Sequence, residues 1–259
     1  MPYPGGKNGA GVYQKLINLM PPHRVYIEPF LGGGAILRLK RPAALNIGID
    51  LDPAVTGDSA GCIAEFAVGG LHHQEKRCLP GPTTGTSDSG SRILQGDGIE
   101  FLSSYPFQGD ELVYCDPPYL METRRSGPLY RFEMPDVDHR RLLRCIRTIP
   151  AMVMISGYWS EMYAEALKEW NSIHFPVTTR GNSLATEWVW FNFPLPTVLH
   201  DYRYLGENFR ERERITRRKK RWTARLRKMA MLERQALLSA IAEEWGKLLG
   251  PPEIAIRPG

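Results

Sequence analysis

Val25-Tyr26-Ile27-Glu28-Pro29-Phe30-Leu31-Gly32-Gly33-Gly34-Ala35 is an apolar run that passes through an acid and a proline into three glycines and then a helical stretch. It reads as strand, tight loop and helix, a transition at which a ligand can approach the backbone closely. It does not fit a dinucleotide fingerprint. With Gly32 and Gly34 as the first two glycines of GxGxxG, the third position falls on Leu37. Asp50, sixteen residues beyond Gly34, ends the next apolar run, where a carboxylate suits the two hydroxyls of a ribose. A nucleoside ligand without a pyrophosphate satisfies both features. A structural glycine turn with a capping aspartate is the plainer alternative.

Outward from this segment, short apolar runs alternate with helical stretches. Strands are expected at 25–30, 45–50, 92–95, 111–115, 151–156, 173–178 and 187–193, and helices at 10–20, 35–40, 98–104, 136–147 and 160–170. Val137, Leu142, Leu143 and Ile146 share one side of their helix, and Ser160 with Glu161 makes a helix start. This alternation predicts an α/β fold, a mostly parallel seven-stranded sheet covered by helices on both faces, with its site at the C-terminal strand edges. No internal repeat is present.

One of those edges carries Asp116-Pro117-Pro118-Tyr119, directly after Glu111-Leu112-Val113-Tyr114-Cys115. An amine on a purine is a poor nucleophile because its lone pair is delocalised into the ring. The Asp116 carboxylate and the Pro117 carbonyl can each accept one N–H, drawing the nitrogen towards tetrahedral geometry. Pro117 and Pro118 stiffen the backbone that presents those acceptors. Tyr119 is suited to stack on the ring, a contact worth ~1 to 3 kcal/mol per base. Read alone, the four residues also fit a proline-rich turn with a surface tyrosine.

Composition frames these motifs. The chain has 259 residues, 42% hydrophobic and 24% charged, enough for one substantial domain with a small appendage. No apolar run approaches the ~20 residues that span a bilayer, and no signal-peptide pattern opens the chain, so a cytoplasmic protein without membrane association is expected, a monomer by default. The four cysteines are scattered and expected to be reduced. Cys62, His72, His73 and Cys78 lack the tight CxxC pair of structural zinc sites, and no metal is expected. Charge is uneven: residues 205–234 hold 12 Lys and Arg against 4 Glu, a net of +8, and the rest of the chain is net −3. Ile215, Trp222, Leu226 and Met229 fall on one helical stripe, continued by Leu232, Leu237, Ile241, Trp245 and Leu248. One long or two consecutive helices, docked by that stripe with arginines outward, are therefore expected at 201–259, after a catalytic domain at 1–200.

Taken together, Tyr3-Pro4-Gly5-Gly6-Lys7, the Glu28 to Ala35 segment, Asp50, Gln95-Gly96-Asp97 and Asp116-Pro117-Pro118-Tyr119 stand in the order seen in Dam-type (D12 class) DNA adenine-N6 methyltransferases. Ile155-Ser156-Gly157-Tyr158 and the late Arg180 with Glu187-Trp188-Val189 look like later motifs of the same family. The chain resembles that family over about residues 1 to 195, its compact phage and prophage members especially. The resemblance implies a Rossmann-like methyltransferase fold and S-adenosyl-L-methionine as cofactor. Tyr3, Gly5, Gly6, Lys7 and Gly32 to Gly34 would surround its methionine part, Asp50 its ribose and Asp97 its adenine, with Glu28 and Phe30 also at the cofactor. It also implies methyl transfer to N6 of an adenine flipped out of double-stranded DNA, with Asp116, Pro117, Pro118 and Tyr119 catalytic. Arg124, Arg125, Tyr130, Arg131 and Arg180, with Arg217, Arg218, Lys219, Lys220 and Arg221, are the expected DNA contacts. Sister chemistries on RNA, on cytosine N4 or on an amide are the alternative, and a noncatalytic DNA-binding protein is a third.

The chain departs from the family where specificity resides. Only residues 54–91 stand in place of a target-recognition domain, and they are rich in Gly, Ser, Thr and Pro. Base readout needs side chains held rigidly in a groove. Short or relaxed sequence recognition is therefore expected, with the basic helices adding sequence-independent affinity.

Overall fold

A computed structural model of the chain describes residues 7, 9, 11–56, 90–124, 127, 129–178 and 183–249. They form two compact units, one of Met1–Tyr13 with His23–Leu195 and the other of Gln14–Pro22 with Pro196–Gly259. The division falls at 195/196, and the short segment Gln14–Pro22 groups with the C-terminal part. Among the described residues no helix is long and apolar enough to cross a membrane.

The first unit is built on seven strands: β1 Val25–Glu28, β2 Leu45–Asp50, β3 Gly90–Gln95, β4 Glu111–Cys115, β5 Met152–Gly157, β6 Asn171–Thr178 and β7 Leu184–Phe191. Their order in the sheet is β3-β2-β1-β4-β5-β7-β6. The first five run parallel, and β7 enters antiparallel between β5 and β6. Helix α1, Val12–Ile17, runs across the division between the units, and the helices within the first are α2 Ala35–Leu39, α3 Pro53–Thr56, α4 Gly98–Ser104, α5 Asp136–Ile146 and α6 Glu161–Ala166. The chain winds one way from β1 and the other way from β4. Because parallel crossovers are right-handed, this reversal sets helices on both faces. The seven-stranded, mostly parallel, Rossmann-like sheet is the expected architecture, with strand ends shifted by up to three residues.

Burial follows from the winding. β4 is buried at all five positions and β5 at five of six, as central strands covered on both faces must be. Ile27, Ile47, Ile49, Val113, Cys115, Val153, Ile155 and Trp190 alternate along their strands and meet Ile99, Leu102, Leu142, Leu143 and Ile146 from α4 and α5 in one core. The Ser160 hydroxyl caps α6 by accepting the Tyr163 N–H at 3.3 Å. A glycine is obligatory at 98. A Cβ there would lie 2.1 Å from the Pro29 carbonyl oxygen, so its absence lets α4 press against the end of β1.

The second unit contains the two expected helices, α7 Phe209–Lys228 and α8 Met231–Leu249. Asn208 caps α7 by accepting the Glu211 N–H at 3.0 Å. Of the stripe, Ile215, Leu226, Met229 and Leu237 are half-buried, Trp222 and Trp245 are 50% and 53% exposed, and no residue of α7 is buried. The i, i+3 and i, i+4 ion pairs Arg214–Glu211 and Arg217–Glu213 brace the helix locally.

Candidate active site

The reversal of winding falls between β1 and β4, which pair in parallel from Val25↔Glu111 to Ile27↔Val113. Such a switch point opens a crevice at the carboxyl ends of its strands. Here the glycine segment leaves β1 beside Asp116-Pro117-Pro118-Tyr119 leaving β4.

The loop is fastened to β2. Leu31 N–H donates to the Ile49 carbonyl at 2.8 Å, and Gly32 N–H to Asp50 Oδ2 at 2.7 Å. Asp50 Oδ1 accepts the Asp52 N–H at 2.8 Å, and burial raises the Asp50 carboxyl above its ordinary range against these two bonds. Gly34 closes the turn with φ +57°, the left-handed region that glycine enters without penalty. Lining the cleft, Gly32, Gly33 and Gly34 present bare backbone, Phe30 and Ile99 apolar surface, and Asp50 and Asp97 carboxylates. Asp97 caps α4, its Oδ1 accepting the Ile99 N–H at 2.7 Å, while Oδ2 pairs with Arg141 at 3.1 Å. Arg141 was not foreseen, because it lies 44 residues away on α5.

Glu28 stands where the two halves of the cleft meet. Its Oε2 accepts the Tyr26 hydroxyl and the Leu37 N–H, both at 3.0 Å. Burial pushes this carboxyl up to about 8; the Tyr26 bond opposes the shift and the nearby Asp116 charge adds to it.

The other half is a buried polar cluster on Asp116. Lys7 Nζ lies 2.8 Å from Asp116 Oδ1 and 3.0 Å from Glu187 Oε1, and it also donates to the Tyr119 hydroxyl. That hydroxyl donates to Glu187 Oε1 at 2.5 Å. Ser156 Oγ donates to Asp116 Oδ1 at 3.0 Å and is itself 2.9 Å from the Tyr114 hydroxyl. Burial, then the Asp116 and Glu187 charges, raise the Tyr119 phenol well above its ordinary range, so it stays a neutral donor. The Tyr119 ring meets Tyr158 edge-on at 4.7 Å. Glu187 and Ser156 come from β7 and β5; each lay in a motif seen in the sequence without a role being assigned.

The segment after Tyr119 closes on itself. Arg124, 4% exposed in its side chain, pairs with Glu133 at 2.8 Å and lies over the Tyr130 ring at 5.0 Å. Glu133 Oε1 also accepts the Leu129 and Tyr130 N–H groups at 2.7 and 2.9 Å. Arg131 pairs with Asp52 at 3.1 Å, and Tyr130 lines the cleft. Arg124 thus braces the loop through Glu133, and Lys7, which lines the cleft, has its ammonium on the Asp116 cluster. Tyr3, Gly5, Gly6, Arg125, Arg180 and the Cys62, His72, His73, Cys78 set lie outside the described residues. Among the described residues no group of three or more His, Cys, Asp or Glu is arranged to hold a metal. Arg217, Arg218, Lys219, Lys220 and Arg221 are exposed on α7.

No family model matches the chain, and neither does any curated protein. Solved structures that resemble it include a precorrin-8w decarboxylase from Methanobacterium thermoautotrophicum, at 12% identity and TM-score 0.44 over 74% of this chain and 94% of that one. A SAM-dependent methyltransferase from Methanosarcina mazei matches at 10% identity and TM-score 0.41, covering 68% and 95%. A dimethyladenosine transferase from Plasmodium falciparum matches at 13% identity and TM-score 0.41, covering 71% and 62%. Likeness at this level fixes nothing about substrate, which the side chains must supply.

Proposed function

We propose that this chain is an S-adenosylmethionine-dependent methyltransferase that modifies N6 of adenine in DNA. The observation that carries the reading is the pairing, at one switch point, of a nucleoside-suited cleft with Asp116 and Tyr119. The cleft suits the cofactor on three counts. Gly32 to Gly34 admit a chain against bare backbone; the Asp50 carboxylate, already oriented by two N–H bonds, retains lone pairs for ribose hydroxyls; and Phe30 and Ile99 offer apolar surface for a base. Asp97 would take the base's amino group beside Arg141. When bound, the cofactor supplies an electrophilic sulfonium methyl.

On the acceptor side the substrate nitrogen would take that methyl on its lone pair, the sulfonium keeping the electron pair of the broken C–S bond, and would give up one N–H proton to water. Asp116 and the Pro117 carbonyl accept the amine hydrogens, which aims the lone pair and stabilises the positive charge that grows on nitrogen. Tyr119 and Tyr158 offer aromatic surface to a base taken out of its stack. The exposed basic row Arg217 to Arg221 is suited to phosphates.

Labelled methyl transfer to duplex DNA, compared with RNA, tests the reading. Adenine in DNA should be labelled, and Asp116→Ala should lower kcat by roughly 10³-fold while leaving cofactor binding intact. Labelling of RNA in preference to DNA, or an Asp116→Ala variant at the native rate, would overturn it. Sequencing of a methylated plasmid should show a short or relaxed target; one long, strict motif would remove that part.

A further inference from the structure

Three charged side chains are packed into one small volume here: Lys7, Asp116 and Glu187, with side-chain exposures of 8%, 18% and 4%. The arrangement has an evident cost for amine activation. An ammonium 2.8 Å from Asp116 cancels much of the negative potential that a nitrogen turning cationic needs. Lys7 is firmly an ammonium: burial works to strip its proton, but the Asp116 and Glu187 charges outweigh burial and hold its pKa above the ordinary lysine range. Its three N–H donors go to Asp116, Glu187 and the Tyr119 hydroxyl, so none is left for a base and no lone pair is open to methylation.

The geometry shows how that cost is met. Lys7 and Ser156 both bond Asp116 Oδ1, and among the described residues nothing bonds Oδ2, on a side chain that lines the cleft. Glu187 adds a second carboxylate 3.0 Å from the ammonium. We infer that Lys7 and Glu187 form a counter-charged clamp on Asp116: Lys7 with Ser156 fixes Oδ1, Oδ2 is left to accept the substrate N–H, and Glu187 keeps the cluster net negative. Glu187 is thus a positioning residue for the acceptor amine, acting through Lys7 and the Tyr119 hydroxyl. The inference rests on the amine-methylation reading above.

The test is a double-mutant cycle in the full chain with Glu187→Gln, Lys7→Met and the pair, each shown by circular dichroism to be folded at the assay temperature and each assayed at saturating S-adenosylmethionine, since removing one partner of a buried pair lowers stability. Glu187→Gln makes the cluster neutral and should lower kcat on duplex DNA by roughly 100-fold with little change in KM. Adding Lys7→Met restores a net negative charge and should recover at least about tenfold of that loss. Glu187→Asp keeps the charge and should stay within about tenfold of wild type. A double variant as slow as the product of the two single losses overturns the clamp. A second arm needs no turnover: ¹³C NMR of the Lys7 side chain should show its titration midpoint falling in Glu187→Gln, and an unmoved midpoint also overturns it. Wild type that labels no nucleic acid would sink the DNA reading, and the NMR arm would still decide the clamp.

Discussion

The sheet edge at β1 and β4 and the helix α7 are both rich in charge, and they use it in opposite ways. At the sheet edge, Lys7, Asp116, Glu187 and Asp50 are buried or nearly so, and each has named partners. On α7, Arg217 to Arg221 stand exposed and no residue is buried. Buried charge is costly unless fully bonded, so it is found where geometry must be fixed before a reaction begins. Exposed charge adapts, which suits a phosphate backbone met at many registers.

If this contrast is sound, substitutions should separate into those that break the fold or the chemistry and those that change only affinity. The largest loss of stability is expected for Gly98→Ala, whose Cβ would meet a backbone carbonyl at 2.1 Å. Denaturant unfolding should show a loss of about 3 kcal/mol or more; a loss under about 1 kcal/mol would mean that α4 does not press on β1 as described.

Glu28 gives a pH signature of similar size. Its carboxyl is raised from 4.5 to about 8 by burial, so between those values the folded state holds a proton that the unfolded state has released. Stability from this group is therefore full below about 4.5 and is lost as pH rises through about 8, by a few kcal/mol in all. Glu28→Gln should flatten that decline between about pH 5 and 9 in unfolding measurements. An unchanged slope would show that the carboxyl is ionised in the fold.

Smaller effects should follow at the cleft and on the helix. Asp50→Ala removes the acceptor of the Gly32 and Asp52 N–H groups and should weaken S-adenosylmethionine binding by about 2 kcal/mol, roughly 30-fold, read by calorimetry. Replacing Arg217, Arg218, Lys219, Lys220 and Arg221 by Gln should move unfolding free energy by no more than about 0.5 kcal/mol, since these side chains are exposed. The slope of log affinity for DNA against log salt should drop by about 0.9 for each phosphate that the variant no longer neutralises. Unchanged salt dependence would remove the helix from DNA binding.

The local parts of the site were readable because each is contiguous. Asp116 to Tyr119 and Glu28 to Ala35 announce a strand end by apolar pattern, proline and glycine within a dozen residues. Glu187 and Ser156 were not assignable in the same way: they reach Tyr119 and Asp116 across 68 and 40 residues, from strands whose neighbours no local pattern states. Arg124 shows the same limit from a loop: a loop arginine reads as exposed, and only the fold of its segment onto Glu133 buries it.

By itself, the sequence determined the alternation of strands and helices, the acid-proline-aromatic strand end and the concentration of positive charge after residue 204, because periodicity, backbone restriction and composition act over a few residues. The tertiary structure decided which strand ends became neighbours. The order β3-β2-β1-β4-β5-β7-β6 puts the glycine segment beside Asp116 and brings Glu187 in on an antiparallel β7. That order depends on the hand of the crossovers and on burial summed over the whole sheet, so no short stretch of chain encodes it.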